Sequence, residues 1–344
     1  MKKILSNTLK IAASLIISAI ILYLVYRDYD FSEFRNGLSE MRLEWLWMAL
    51  AFSVIGPLLR GLRWNLLLEP IGYHVPRRDT VLTVFTGYAA NIIIPRVGEI
   101  SRCAILDQYD KVPFSKSFGT LVAERFVDMI LLVLISAGTV LAQSGKFIDL
   151  FAGKANISGT EADAAESLQT ASASVPLLQN PTFWIWAAVI AVVVAVCWWL
   201  CVRFSLWKKI VQFVKDFWSG FAALRQVRNL PLFLFYSVGI WVCYYLEMYL
   251  AFYCIGSISQ VGPVAGLVCF VAGSIAVLVP TPNGAGPWHF AITSMLVLYG
   301  VALNDAKTFA LVLHTAQTAT YLLCGAIAWI ALHLVRRGSE GQVH

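Results

Sequence analysis

The residues of this chain best suited to chemistry are charged groups set inside apolar sequence. Glu124, Arg125 and Asp128 stand about two turns into an apolar run from Ser117 to Ala142. A charge at the centre of a bilayer costs about 2.5–3.5 kcal/mol on insertion scales, so such residues mark a working site or a buried network. Arg125 and Asp128 are three apart and can pair along a helix. Glu124 points elsewhere and needs another cation, with Arg60, Arg96 and Arg102 as candidates. A second group is the breaker Asn91-x3-Pro95-Arg96-x-Gly98-Glu99-x2-Arg102, and a third is Pro280-Thr281-Pro282-Asn283-Gly284-Ala285-Gly286-Pro287-Trp288-His289. Glu247 and His314 are lone polar residues in later apolar runs, with Gln317 one turn after His314 and able to share its network.

Breakers of this kind expose helix ends. Half-helices beginning near Gly98 and near Pro287 would each present N–H groups carrying roughly half a positive charge, and such ends bind phosphate or carboxylate. Gly284 and Gly286 permit close backbone approach, and Pro287 suits a first helical position. Arg96, Arg102 and Arg125, with Asn91 and Gly98 beside them, complete a set that suits an anionic lipid head group. Glu99, Glu124, Asp128, Arg60, Glu247, His289 and His314 form the expected gating or charge network. Other readings stay open: a structural ion-pair network, a plain Gly/Pro turn, and a histidine held in packing. Arg63 is expected to snorkel to the cytoplasmic interface.

Composition says what must hold these residues. Of 344 residues, 59% are hydrophobic and 13% charged, against about 25% charged in a soluble domain; mean hydropathy is +0.71. The fold class is all-α, a polytopic integral membrane protein forming a single membrane domain over 1–344. Spans are expected at 10–26, 44–68, 117–142, 182–202, 231–255 and 307–335. Segments 80–102 and 261–300 contain half-helices too short to cross, for which about 20 apolar residues are needed. Irregular backbone at that depth is tolerated only against protein or a water-filled cavity, so both read as re-entrant, broken-helix hairpins. Residues 143–181 read as an acidic outer loop and 203–229 as a basic amphipathic interfacial helix.

The positive-inside rule places 203–229 and both termini in the cytoplasm and 143–181 outside. Six spans satisfy this only if 80–102 re-enters from the cytoplasmic side and 261–300 from the other. Residues 44–142 (repeat A) and 231–335 (repeat B) then read as an inverted repeat, an architecture of transporters with broken helices near the midplane. The net charge of +6 fits this orientation bias and does not point to nucleic acid. No P-loop, metal-binding spacing or catalytic triad spacing stands out. No cofactor or metal is expected, and the cysteines read as buried packing.

The ordered set Asn91-x3-Pro95-Arg96-x-Gly98-Glu99-x2-Arg102, Glu124-Arg125-x2-Asp128 and Pro280-x-Pro282-x-Gly284-x-Gly286 resembles the lysylphosphatidylglycerol synthase transmembrane-region, or flippase-like, family. The resemblance covers the chain beyond the first helix. In fused bacterial members this region is associated with flipping an aminoacylated phosphatidylglycerol, while a soluble domain attaches the amino acid. This chain reads as a stand-alone member without that domain, so lysyl-lipid synthesis is not carried over. It also shows His289 and His314 where members often carry an acidic residue and an arginine. The expectation is a flippase or transporter of the bacterial inner membrane, with a membrane phospholipid as substrate and a separate lipid-modifying enzyme as candidate partner. The alternatives are a membrane-embedded transferase acting on a lipid-linked sugar or amino acid, and a non-transporting scaffold.

Overall fold

The computed structural model describes residues 2–27, 29, 41–142 and 207–340. Expectations for 143–181 and 182–202 therefore lie outside the described residues. Those described fall almost wholly in one compact unit drawn from 1–143 and 217–344; of a second unit, 144–216, only the helical stretch from 207 is described.

The described residues are helical, with no strands. In chain order the helices are α1 (Lys2–Tyr26), α2 (Leu43–Leu68), α3 (Arg77–Ile93), α4 (Val97–Asp110), α5 (Phe114–Ala142), α6 (Trp207–Ala222), α7 (Leu230–Ala251), α8 (Pro263–Ala276), α9 (Pro287–Leu298) and α10 (Leu303–Glu340). Among the described residues, four segments are long and apolar enough to cross a membrane: Leu43–Ile71, Phe114–Ala142, Leu230–Cys254 and Leu303–Leu334. They coincide with four of the expected spans. The chain is a multi-pass membrane protein.

Proline and glycine punctuate the fold where the sequence places them. α3 stops at Ile93 because Pro95 disfavours helical backbone at Ile94, which is extended. The gap to α4 is only three residues, and Arg96 makes the turn in the left-handed region, with φ 63°. α8 stops at Ala276, ahead of Pro280 and Pro282, and α9 restarts at Pro287 behind Gly286, whose φ is 94°. α7 is opened by Pro231 in its first turn and by Asn229, whose side chain accepts from the Leu232 N–H at 3.1 Å.

Two stretches of the chain thus share one order: a long helix, two short helices across a break, and a long helix. α2 packs along α7; α3 packs on α10, and α8 on α5. Within each stretch the short helices pair, α3 with α4 and α8 with α9. The apolar core divides accordingly. One part gathers Trp64, Leu67, Leu106 and Leu121 around the first pair, and the other gathers Phe252, Cys269, Ile292 and Phe309 around the second.

Candidate functional site

Spacing on two long helices builds the first cluster. Arg60 and Arg63 are three apart on α2, and Glu124 and Asp128 are four apart on α5, so each pair shares a helix face. Arg60 Nη1 lies 3.1 Å from both Glu124 Oε1 and Asp128 Oδ2. Arg63 reaches Asp128 Oδ1 at 2.8 Å and Glu124 Oε1 at 3.2 Å. From α4, Arg102 reaches Glu124 Oε2 at 2.7 Å, and its guanidinium lies over the Trp64 ring at 4.3 Å. The Trp64 ring is held in turn by its N–H, which donates to Thr120 Oγ1 at 3.0 Å. Arg125 sits at the open edge, 3.0 Å from Glu99 and 3.5 Å from both Glu124 and Asp128. Glu124 is therefore the hub, touched by four arginines.

Four arginines face three carboxylates here, which leaves one positive charge in surplus. The Nε–H groups of Arg60, Arg63 and Arg102 are buried and find no acceptor among the described residues. A buried donor left unmade costs about 1–3 kcal/mol, more when charged. The cluster therefore holds unmatched positive charge and unmade hydrogen-bond donors.

Beside it, the turn between α3 and α4 is closed by its own residues. The Gly98 N–H donates to Asn91 Oδ1 at 2.7 Å, so the start of α4 is capped by the asparagine. Gly98 also packs directly on Gly87 of α3: a methyl group at Gly98 would collide with the Gly87 carbonyl. Arg96 is exposed and donates to the Leu278 carbonyl at 2.8 Å. That bond ties the first break to the end of α8, and so the two breakers meet.

The second break is neutral. The Gly286 N–H donates to His289 Nδ1 at 3.3 Å. His314 Nε2 contacts the Asn283 carbonyl at 3.1 Å, and Asn283 donates its amide to Thr318 at 2.8 Å. The two imidazoles lie 4.5 Å apart between centroids, with Trp288 against His314. Close approach at Gly286 is to α1: a Cβ there would stand 3.1 Å from the Ser18 carbonyl, and Ser18 Oγ donates to the Ala285 carbonyl at 2.9 Å. Gly284 faces Val277 in the same way.

Residues 11–325 match the family model for the lysylphosphatidylglycerol synthase TM region. The chain belongs to this family. Across 94% of both chains it is 20% identical to a UPF0104 membrane protein of Methanocaldococcus jannaschii. It is also 25% identical to the glycosyltransferase AglD of Haloferax volcanii, over 49% of this chain and 28% of that protein's length.

Among the expected site residues, the structure brings together Arg60, Glu99, Arg102, Glu124, Arg125 and Asp128. Glu124 finds Arg60 and Arg102 as anticipated, whereas Arg96 turns away to Leu278. Two expectations are overturned. Arg63 does not snorkel; its side chain is fully buried and bridges both carboxylates. Its spacing from Arg60 was the available signal, since two cations on one face match two anions on another. Gln317 likewise serves Glu247, to which it donates at 2.7 Å, and not His314.

Proposed function

We propose that this membrane protein binds a phosphate-bearing or aminoacylated lipid head group at the Arg60–Arg63–Arg102–Arg125 cluster and passes the lipid between leaflets. The observation that carries the reading is the surplus positive charge with buried, unfilled N–H donors at membrane-spanning helices. A phosphate offers several acceptor oxygens, and charge-assisted bonds from arginine to such groups are roughly twice as strong as neutral ones. Arg125 is the entry residue, because it alone of the four arginines is more than a third exposed, at 37% of its side chain. Glu99, Glu124 and Asp128 hold the arginines apart from one another and offset the charge of a cationic substituent on the lipid.

The architecture proposed to serve this is six spans with two re-entrant hairpins, 80–102 and 261–300, in an inverted repeat lying in a bacterial inner membrane with both termini cytoplasmic. Exchanging the two stretches maps α3 on α10 into α8 on α5, which supports a repeat. Cysteine labelling from each side of the membrane tests the arrangement. Reagent reaching both ends of either hairpin from opposite sides would sink it.

The function is tested by reconstituting the protein in liposomes with head-group-labelled phosphatidylglycerol and reading leaflet exchange. Arg125→Ala, which leaves the buried pairs intact, is expected to slow exchange about tenfold, the factor given by about 1.4 kcal/mol of lost contact. Exchange no faster than in empty vesicles overturns the reading. The match to AglD favours a second reading, in which the lipid carries a sugar; labelled polyprenyl-phosphate sugars in the same vesicles distinguish it.

A further inference from the structure

Glu247 stands apart from every other buried acid in the described residues. It is 3% exposed on α7, and it forms no ion pair among the described residues. Gln317 of α10 donates to its Oε1 at 2.7 Å and also approaches the Tyr321 hydroxyl at 3.3 Å. The Tyr321 ring packs edge-on against Tyr88 of α3, with centroids 4.9 Å apart. The Tyr88 hydroxyl bonds the Tyr244 hydroxyl at 2.6 Å, and the Arg60 guanidinium lies 6.0 Å from the Tyr244 ring. Gly56 leaves the slot for that ring, since a Cβ there would stand 2.8 Å from it. A ladder of hydrogen bonds and ring contacts, half-buried at Gln317, Tyr88 and Tyr244, therefore leads from the lone carboxylate to the arginine cluster.

We propose that Glu247 is a proton-binding site whose charge is read by the arginine cluster through this tyrosine ladder, so that a proton and the lipid anion load together. The inference rests on the proposed lipid-binding role of the cluster. An ionised Glu247 contributes a negative charge that offsets the surplus positive charge and so competes with a head group. When the carboxylate takes a proton from the aqueous phase, one O–H bond forms and the surplus is released to the lipid anion. By linkage each ligand then favours the other to the same degree. Movement of the lipid would draw on a proton gradient.

The ionisable neighbours are few. Cys243 and Tyr244 lie on α7 itself, Tyr321 and His314 on α10, and Tyr88 on α3. Of these, His314 is directed to the Asn283 carbonyl. α2 and α5 bring Arg60, Arg63, Glu124, Arg125 and Asp128, all engaged with one another. α8 brings only Cys269.

The test is leaflet exchange of labelled phosphatidylglycerol with and without a pH gradient across the liposome, in the native protein and in Glu247→Gln. One pH unit changes proton activity tenfold, so the native rate is expected to respond by a factor approaching about ten, and Glu247→Gln to respond not at all. Equal response in both, or exchange insensitive to the gradient in the native protein, overturns the proposal. Should Glu247→Gln fail to fold, Tyr321→Phe decides: loss of the gradient response supports the ladder and an unchanged response overturns it. Should no lipid move at all, the flippase reading fails separately. The infrared carbonyl band of a protonated carboxyl then decides the proton site. A band that titrates with pH in the native protein and is missing from Glu247→Gln retains it, and identical spectra overturn it.

Discussion

Around the break between α3 and α4, the side chains that reach the long helices are ions: Arg102 meets Glu124, and Arg125 bridges Glu99, Glu124 and Asp128. Around the break between α8 and α9, they are neutral: two histidines, an asparagine and a threonine exchange ordinary hydrogen bonds. The two regions share an order of elements and differ in what holds them. Separating buried opposite charges costs far more than separating neutral donors from acceptors, because each stranded ion keeps its full desolvation penalty. The first pair is thereby fixed to its neighbours. The second can shift at the cost of a few modest bonds, so in the proposed function it is the part expected to move.

The sharpest way to break this contrast is at the hub. Glu124→Ala strands Arg102 and leaves Arg60 and Arg63 to share Asp128 alone; it is expected to destabilise the fold by about 3–5 kcal/mol, read as a lowered midpoint in denaturant titration of purified protein. A loss under about 1 kcal/mol would mean that the ions hold little, and the two regions would differ only in composition. A smaller effect separates the turns. Gly98→Ala drives a methyl into the Gly87 carbonyl and is expected to cost about 1–3 kcal/mol through overpacking. The smallest change concerns the bond between the breaks. Arg96→Ala removes an exposed donor from the Leu278 carbonyl, with an expected loss of about 0.5–1.5 kcal/mol. Its more telling readout is faster amide hydrogen exchange at the end of α8, with no such change in α4. Equal loosening of both would contradict the assignment of fixed and mobile parts.

Much of this arrangement was legible in the sequence. Long apolar runs announce α2, α5, α7 and α10, because a bilayer-length helix needs composition more than context. Pro95, Pro280 and Pro282 announce the breaks through backbone chemistry that acts within one or two residues. The charged motif also declared itself, since ions inside apolar runs need a reason. Partners across helices did not. Arg63 near a helix end reads as a snorkelling cation, and only the approach of α5 to α2 shows it buried. The ladder from Glu247 to Arg60 joins tyrosines separated by 156 residues at its central bond, a distance that no local pattern reports. The glycines were conspicuous for another reason than the structure gives them. Gly98 admits the backbone of α3 and Gly286 that of α1, where ligand approach had been the expectation.

The contact between Gly98 and Gly87 has a mechanical consequence. Two helix backbones touching without side chains between them have no compliant layer to absorb sliding, so α3 and α4 form a stiff hairpin that transmits motion as a lever does. α10 lies against the far face of α3, where Gly325 is pressed on Ala89 and on the Phe85 carbonyl. Were α10 to shift, α3 and α4 would follow it as one body, carrying Arg102 and the ion pairs that hold it.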